Sequence, residues 1–115
     1  MSESKTLFEK IISRDVPADI IYEDDEIISF KDINPQAPFH ALVCPKEPIV
    51  MLSKSSSKNE QILGKLLLKC PDIASDNGYK DSFRLIINNG SSAGQSVFHL
   101  HIHILAGRQF SWPPG

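Results

Sequence analysis

The chain has 115 residues, with 12 Lys and Arg against 14 Asp and Glu, a net charge of −2 when the histidines are neutral. Hydrophobic residues make up 41% and charged residues 23%, values ordinary for one soluble globular domain, and the length leaves little room for a second. Near-neutral charge argues against a dedicated nucleic-acid binder, and no window holds the ~18 apolar residues of a membrane span.

In chain order, Met1-Ser2-Glu3-Ser4-Lys5 is polar, is not followed by the apolar region of a signal peptide, and is expected to be disordered over residues 1–5. Thr6-Leu7-Phe8-Glu9 has the T-x-x-E form of a capping box, and Leu7, Phe8, Ile11 and Ile12 recur at helical spacing. A short helix to about Ser13 is predicted, with Pro17 ending it. Residues 20–23 and 27–32 read as two strands around the acidic turn Asp24-Asp25. Asn34-Pro35-Gln36-Ala37-Pro38 reads as a loop, because two prolines in so short a stretch forbid regular hydrogen bonding. Residues 40–44 are an apolar strand stopped by Pro45, and 46–56 a connector, mobile at its serine-rich tip. Ser57-Lys58-Asn59-Glu60 is a second capping box, opening a helix with Ile62, Leu63, Leu66 and Leu67 at its apolar positions. Pro71 is expected to kink or restart that helix before Asn77-Gly78. The lysines from Lys54 to Lys69, interleaved with Ser and Leu, read as a solvated face. Residues 83–88 are a strand, the small-residue loop 89–94 follows, and a last strand covers 96–105. The tail Ser111-Trp112-Pro113-Pro114-Gly115 can be neither helix nor central strand. Cys44 and Cys70 lie far apart without a CxxC, the pattern of two free buried thiols in a reducing compartment. The class is α+β with a mostly antiparallel sheet, and the expected location is the cytoplasm, with the nucleus open to so small a chain.

Three of the four histidines fall in one pentad, His99-Leu100-His101-Ile102-His103. On a strand, alternation puts the three imidazoles on one side about 6.5–7 Å apart and sends Phe98, Leu100, Ile102 and Ile104 into a core. Surface histidines on a half-solvated strand would be the plain reading, but Asn, Thr or Lys would serve that role equally well. Two functional readings compete. H-x-H on a strand can set two ligands on one metal ion, with His40 supplying another, although no Asp, Glu or Cys lies nearby in sequence to complete the shell. Alternatively, an imidazole is largely neutral and nucleophilic near pH 7 and suits attack at phosphorus, its neighbours orienting it and bonding the oxygens that gain charge. The loop Gly90-Ser91-Ser92-Ala93-Gly94-Gln95-Ser96 favours the second, since glycines expose backbone N–H groups to an anion and Gln95 and Ser96 add donors.

His99-Leu100-His101-Ile102-His103-Ile104-Leu105 resembles the His-φ-His-φ-His-φ-φ signature (φ apolar) of the histidine triad, or HIT, superfamily. Gly94-Gln95-Ser96-Val97-Phe98 before it and Gly107-Arg108-Gln109-Phe110-Ser111-Trp112-Pro113-Pro114-Gly115 after it are similar to the Hint branch, the histidine triad nucleotide-binding proteins. So is Phe30-Lys31-Asp32-Ile33-Asn34-Pro35-Gln36-Ala37-Pro38-Phe39-His40. The resemblance runs from the first helix to the C-terminus. It implies a single HIT domain over residues 1–115, with a five-stranded, mostly antiparallel sheet and two helices. It also implies a homodimer, with the tail 106–115 and its Trp112 at the interface.

The activity implied is that of a purine nucleoside phosphoramidase, hydrolysing P–N bonds of AMP or GMP amides through a nucleotidyl-histidine intermediate on His101, with no metal and no cofactor. By the same likeness His99 and His40 form a relay behind His101, and a backbone carbonyl fixes its tautomer. His103 contacts the phosphate, and Ser96 lies near the leaving group. Asp32 matches the carboxylate that accepts the ribose hydroxyls. Ile33, Phe8 and Ile11 form the slot for the base, and Asn88, Gly94, Gln95 and Ser96 the phosphate side. Lys31 and Ser111 depart from the histidines often found there in close Hint relatives, and Pro71 bears on the helix that builds the dimer surface. The alternative is a nucleotide-binding interaction protein with incidental hydrolase activity. Neither nucleic acid nor membrane is an expected partner.

Overall fold

Capping starts the fold at Thr6, whose Oγ1 accepts the Glu9 N–H at 3.2 Å while the Glu9 carboxylate accepts the Thr6 N–H at 3.0 Å. Helix α1, Leu7–Ile12, follows. The computed structural model describes residues 5–115, so the N-terminal stretch expected to be disordered falls, apart from Lys5, outside the described residues. Arg14 stops the helix: at φ 69° it turns the chain out of the right-handed region before Pro17 is reached. Strands β1 (Ile20–Glu23) and β2 (Ile27–Lys31) come next, their turn held by Asp24 Oδ1, which accepts the N–H groups of Glu26 and Ile27 at 2.8 Å each.

Strand β3 (Phe39–Pro45), helix α2 (Glu60–Asp76), and strands β4 (Arg84–Ile86) and β5 (Ile102–Ala106) complete the order. The sheet runs β1-β2-β3-β5-β4, and each strand is antiparallel to its neighbours. Period-two alternation then divides it into two faces. Phe39, Ala41 and Val43 of β3 and Ile102, Ile104 and Ala106 of β5 meet α2, which buries Ile62, Leu66, Cys70, Ile73 and Ala74 at helical spacing. Leu42 and Cys44 of β3, with Ile28 and Phe30 of β2, meet Phe8 and Ile11 of α1. Because α1 is only two turns long, it leaves part of that second face uncovered, and there the register sets His40 of β3 and His103 of β5.

Several local expectations are corrected. The second capping box sits one residue earlier, on Ser56, whose Oγ accepts the Lys58 N–H while its own N–H goes to Asn59 Oδ1 at 2.9 Å. The connector is folded into two 3-10 turns, Leu52–Lys54 and Ser57–Asn59, and Ser53 N–H is tied to Asn89 Oδ1 at 2.8 Å. Helix α2 runs through Pro71 without a break: the proline is exposed, so the carbonyl it deprives of a partner lies on the solvent side. Leu67 is half exposed, because the buried stripe passes through Leu66 and Cys70 instead. Strand β4 is half the expected length, and β5 starts only at Ile102. Phe98 is therefore outside the alternating strand and 41% exposed, not in the core. Both cysteines are free and buried, and burial pushes each thiol up to about 12. No helix of the described residues is long and apolar enough to cross a membrane.

The chain leaves β5 through Gly107, at φ +97°, where an added Cβ would stand 2.9 Å from Pro38 Cβ and 3.1 Å from the Tyr79 hydroxyl. Gly107→Ala is expected to destabilise the fold by about 1–3 kcal/mol, read as a lower urea midpoint. An unchanged midpoint would mean that the Pro38 loop yields freely.

Candidate active site

The site is built where β3 and β5 carry polar side chains on the face that α1 leaves open. Irregular backbone delivers the first two histidines of the pentad, and β5 only the third. In place of a ladder partner, Leu100 N–H bonds Ile49 C=O at 2.6 Å, burying Leu100 on the α2 side. The three imidazoles still stand on the α1 side. Phe8 meets His101 edge-on at 4.8 Å and His99 at 6.2 Å, and the His101 and His103 rings are 5.0 Å apart by centroid.

Backbone groups decide where each ring carries its proton. His101 Nδ1 lies 2.7 Å from the His99 carbonyl, which can only accept, so Nδ1 holds the hydrogen and Nε2 keeps a lone pair. His99 Nε2 lies 2.7 Å from Pro45 C=O, so its hydrogen is on Nε2, and its Nδ1 is buried without a partner. His40 Nδ1 accepts the Gln36 N–H at 3.0 Å. A neutral His40 therefore has its hydrogen on Nε2, facing His103 Nδ1 at 2.9 Å. His103 must then carry its own hydrogen on Nε2. Neither His101 Nε2 nor His103 Nε2 bonds another group among the described residues. The site so presents a lone pair and an N–H donor on adjacent rings.

The relay is thus arranged differently from expectation. The expected carbonyl does stand behind His101, and it is that of His99, but the His99 ring turns away to Pro45 and His40 backs His103. All four rings titrate below the ordinary histidine range. Burial is the main cause throughout; for His103 the neighbouring His101 and His40 add to it, bringing that ring down to about 4.

A cleft of about 240 Å³ opens in front of the rings. It brings together Phe8, Ile11, Asp32, Ile33, Ser96, His101 and His103 of the expected set. Phe8 and Ile11 are buried in its wall, whereas Ile33 is 96% exposed at its rim. Asp32 Oδ1 accepts the Asn34 N–H at 2.8 Å, and Oδ2 stands 3.5 Å from His40 Nε2. Lys31 also lines the cleft, its ammonium 3.9 Å from Asp19.

Two expected phosphate-side residues serve the loop instead. Gln95 is buried; its amide donates to Val50 C=O at 2.9 Å and Val97 C=O at 3.1 Å, and its Oε1 accepts the Gly90 N–H, so no side-chain donor is left over. Asn88 faces a separate groove with Trp112. Gly94, at φ +101°, turns the loop over it: a Cβ there would lie 3.8 Å from the Asn88 amide. Sequence reasoning missed Val16, Pro17 and Ala18, which wall the cleft after α1, and Phe30 and Leu42 beneath it. The last two were legible, since Leu42 shares the face of His40 by alternation. Nothing in the residues after Arg14 signals a wall.

Asp32, His40 and His103 offer one carboxylate oxygen and two imidazole nitrogens within 4.8 Å of one another, donors of the kind a divalent cation takes. Two of the three are already bonded to each other.

The family described as HIT domain matches residues 13–110. An uncharacterised HIT-like protein of Synechocystis sp. is 57% identical over 110 residues, covering 96% of each chain. The adenylylsulfatase HINT1 of Arabidopsis thaliana is 43% identical over 116 residues, covering 99% of this chain and 79% of that protein. Among solved structures, a HIT family hydrolase from Legionella pneumophila superposes with a TM-score of 0.94 at 38% identity, covering 96% of this chain and all of the other.

The four lowered histidines fix a stability profile. Unfolded rings bind protons below about pH 6.5, while the native rings bind them only at lower pH, so the unfolded chain gains protons first. Stability is therefore full above about 6.5 and falls as pH drops toward 4, the native value for His103. Glu23 and Asp24, held below the usual carboxylate range by side-chain hydrogen bonds from Lys46 and Tyr22, add their losses only in more acid solution. Urea midpoints measured from pH 7.5 to 4.5 should decline; a flat series would show that the rings protonate in place at no cost.

Proposed function

The chain belongs to the HIT family, and from that premise we propose that it is a nucleotide-directed hydrolase, specifically a purine nucleoside phosphoramidase acting on AMP or GMP amides. The observation that carries the reading is the pairing of a free Nε2 lone pair on His101 with an N–H donor on His103, both lining a cleft whose far wall is apolar.

A purine fits between Phe8, Ile11 and the segment Val16 to Ala18, and the ribose hydroxyls lie toward Asp32, which retains acceptor capacity beyond its bond to Asn34. The phosphorus then faces His101. Its Nε2 attacks, a P–N(His) bond forms and the P–N(amide) bond breaks, the departing nitrogen taking a proton from solvent as it leaves as amine, a proton that the water attacking in the second step gives back to solvent. His103 Nε2–H bonds a phosphoryl oxygen as charge gathers there, and Ser96, exposed on the cleft, stands on the leaving-group side. Water next attacks phosphorus, the P–N(His) bond breaks, and nucleoside monophosphate is released with the lone pair restored. Burial keeps His101 neutral, and so nucleophilic, below the pH at which a free imidazole would be protonated.

The reading includes a homodimer. Leu67 and Leu68 of α2 are 52% and 75% exposed, and Trp112 of the tail is 83% exposed beside the short edge strand β4, two separate apolar features that a second copy of the chain would cover.

With an AMP amide, the wild type is expected to add one AMP mass mapped to His101, and His101→Ala to lose turnover by about 10³-fold or more. Adenylyl sulfate, the substrate class suggested by the name of the Arabidopsis relative, belongs in the same assay. Faster turnover of it would move the leaving group from amine to sulfate. AMP binding with no adduct and no turnover would favour a nucleotide-binding interaction protein, and stoichiometric zinc retained through dialysis a metal site at Asp32, His40 and His103.

A further inference from the structure

His103 is useful as a donor only while His40 keeps its hydrogen on Nε2; Gln36 N–H enforces this by occupying His40 Nδ1, and the Asp32 carboxylate 3.5 Å from Nε2 favours the same tautomer. Gln36 lies in the middle of the exposed, proline-flanked loop after Asp32, where no ladder restrains the chain. Its side-chain amide donates to Asn34 C=O at 3.0 Å, and its main chain is restrained from the far end of the sequence. Arg108 Nε donates to the Gln36 carbonyl at 2.9 Å, so the peptide units on both sides of the Gln36 α-carbon are held, one by Arg108 and one by His40.

Arg108 is itself fixed. Its guanidinium carbon stands 4.3 Å from the centre of the Phe110 ring, Arg84 stands 5.1 Å from the same ring, and Arg84 also donates to Ser111 C=O at 2.9 Å. The close approach of Gly107 to Pro38 brings the tail onto the same loop. Three hydrogen bonds of 2.9, 3.0 and 2.9 Å thus run without a gap from Arg108 through the Gln36 main chain and His40 to His103.

We propose that Arg108 is a positioning residue for His103, acting through the Gln36 backbone and the tautomer of His40. It touches no substrate. Removing it frees the Gln36 peptides, lets His40 carry its hydrogen on either nitrogen, and leaves His103 a donor only part of the time. The loss falls on the step at phosphorus, while the apolar slot that binds the base is untouched.

The kinetic arm of the test rests on the phosphoramidase reading; the spectroscopic arm does not. With an AMP amide, R108A should lower kcat about 5–20-fold and leave KM within about twofold, and R108K, which keeps a donor, should recover most of the loss. Nitrogen-15 spectra of histidine-labelled protein without substrate should show one tautomer each for His40 and His103 in the wild type and mixtures in R108A. Adding R108A to His40→Ala should cost nothing further. Unaltered ring signals in a folded R108A, or losses that add in the double variant, would overturn the proposal. Wild type inert toward the AMP amide would end the functional reading instead, and the ring signals would then decide the role of Arg108 alone.

Discussion

A neutral imidazole has one hydrogen for two nitrogens, and the site described above depends on which backbone group claims which nitrogen. Carbonyls claim the hydrogens of His99 and His101, and an N–H claims the lone pair of His40. Once these three are assigned, His103 has no freedom left. Burial makes the arrangement durable, because a second proton on any ring would place charge where little water can solvate it. A ring with a free lone pair and a ring with a free N–H, of the same residue type and with centroids 5.0 Å apart, differ only in what lies behind them.

The fold provides these claims by leaving things unfinished. Helix α1 stops after two turns because Arg14 turns the chain, so the sheet face beyond Phe8 stays open for the rings. Strand β5 begins late, so the His99 carbonyl has no ladder partner and accepts from His101 instead. Had the last strand been regular from residue 96, as its alternation suggests, that carbonyl would point along the sheet and be spent on a neighbouring strand.

Much of this was legible in the sequence, and what was not shares a cause. The pentad, the T-x-x-E box, the stripe through Leu66 and the strands around Asp24 are written in side-chain type and spacing, and spacing survives folding. The Ser56 cap, the unbroken passage through Pro71 and the short β5 are outcomes of competition between local preference and tertiary packing. The roles of Gln36 and Arg108 were invisible for a different reason. One acts through its main chain, and the other reaches it from 72 residues away. Gln95 misled because a buried amide and a ligand-facing amide read the same in a sequence.

Neutral rings have a consequence for traffic through the cleft. A site that met a phosphate with fixed positive charge would draw anions in from a distance and hold the product as firmly as the substrate. Among the described residues the one cation lining the cleft is Lys31, already beside Asp19, and the chain as a whole is slightly acidic. Encounter then owes little to long-range attraction, and ionic strength has little to screen. On the proposed phosphoramidase reading, a nucleoside monophosphate is more negative than the amide it came from, and neutral rings offer it no added charge to hold it back.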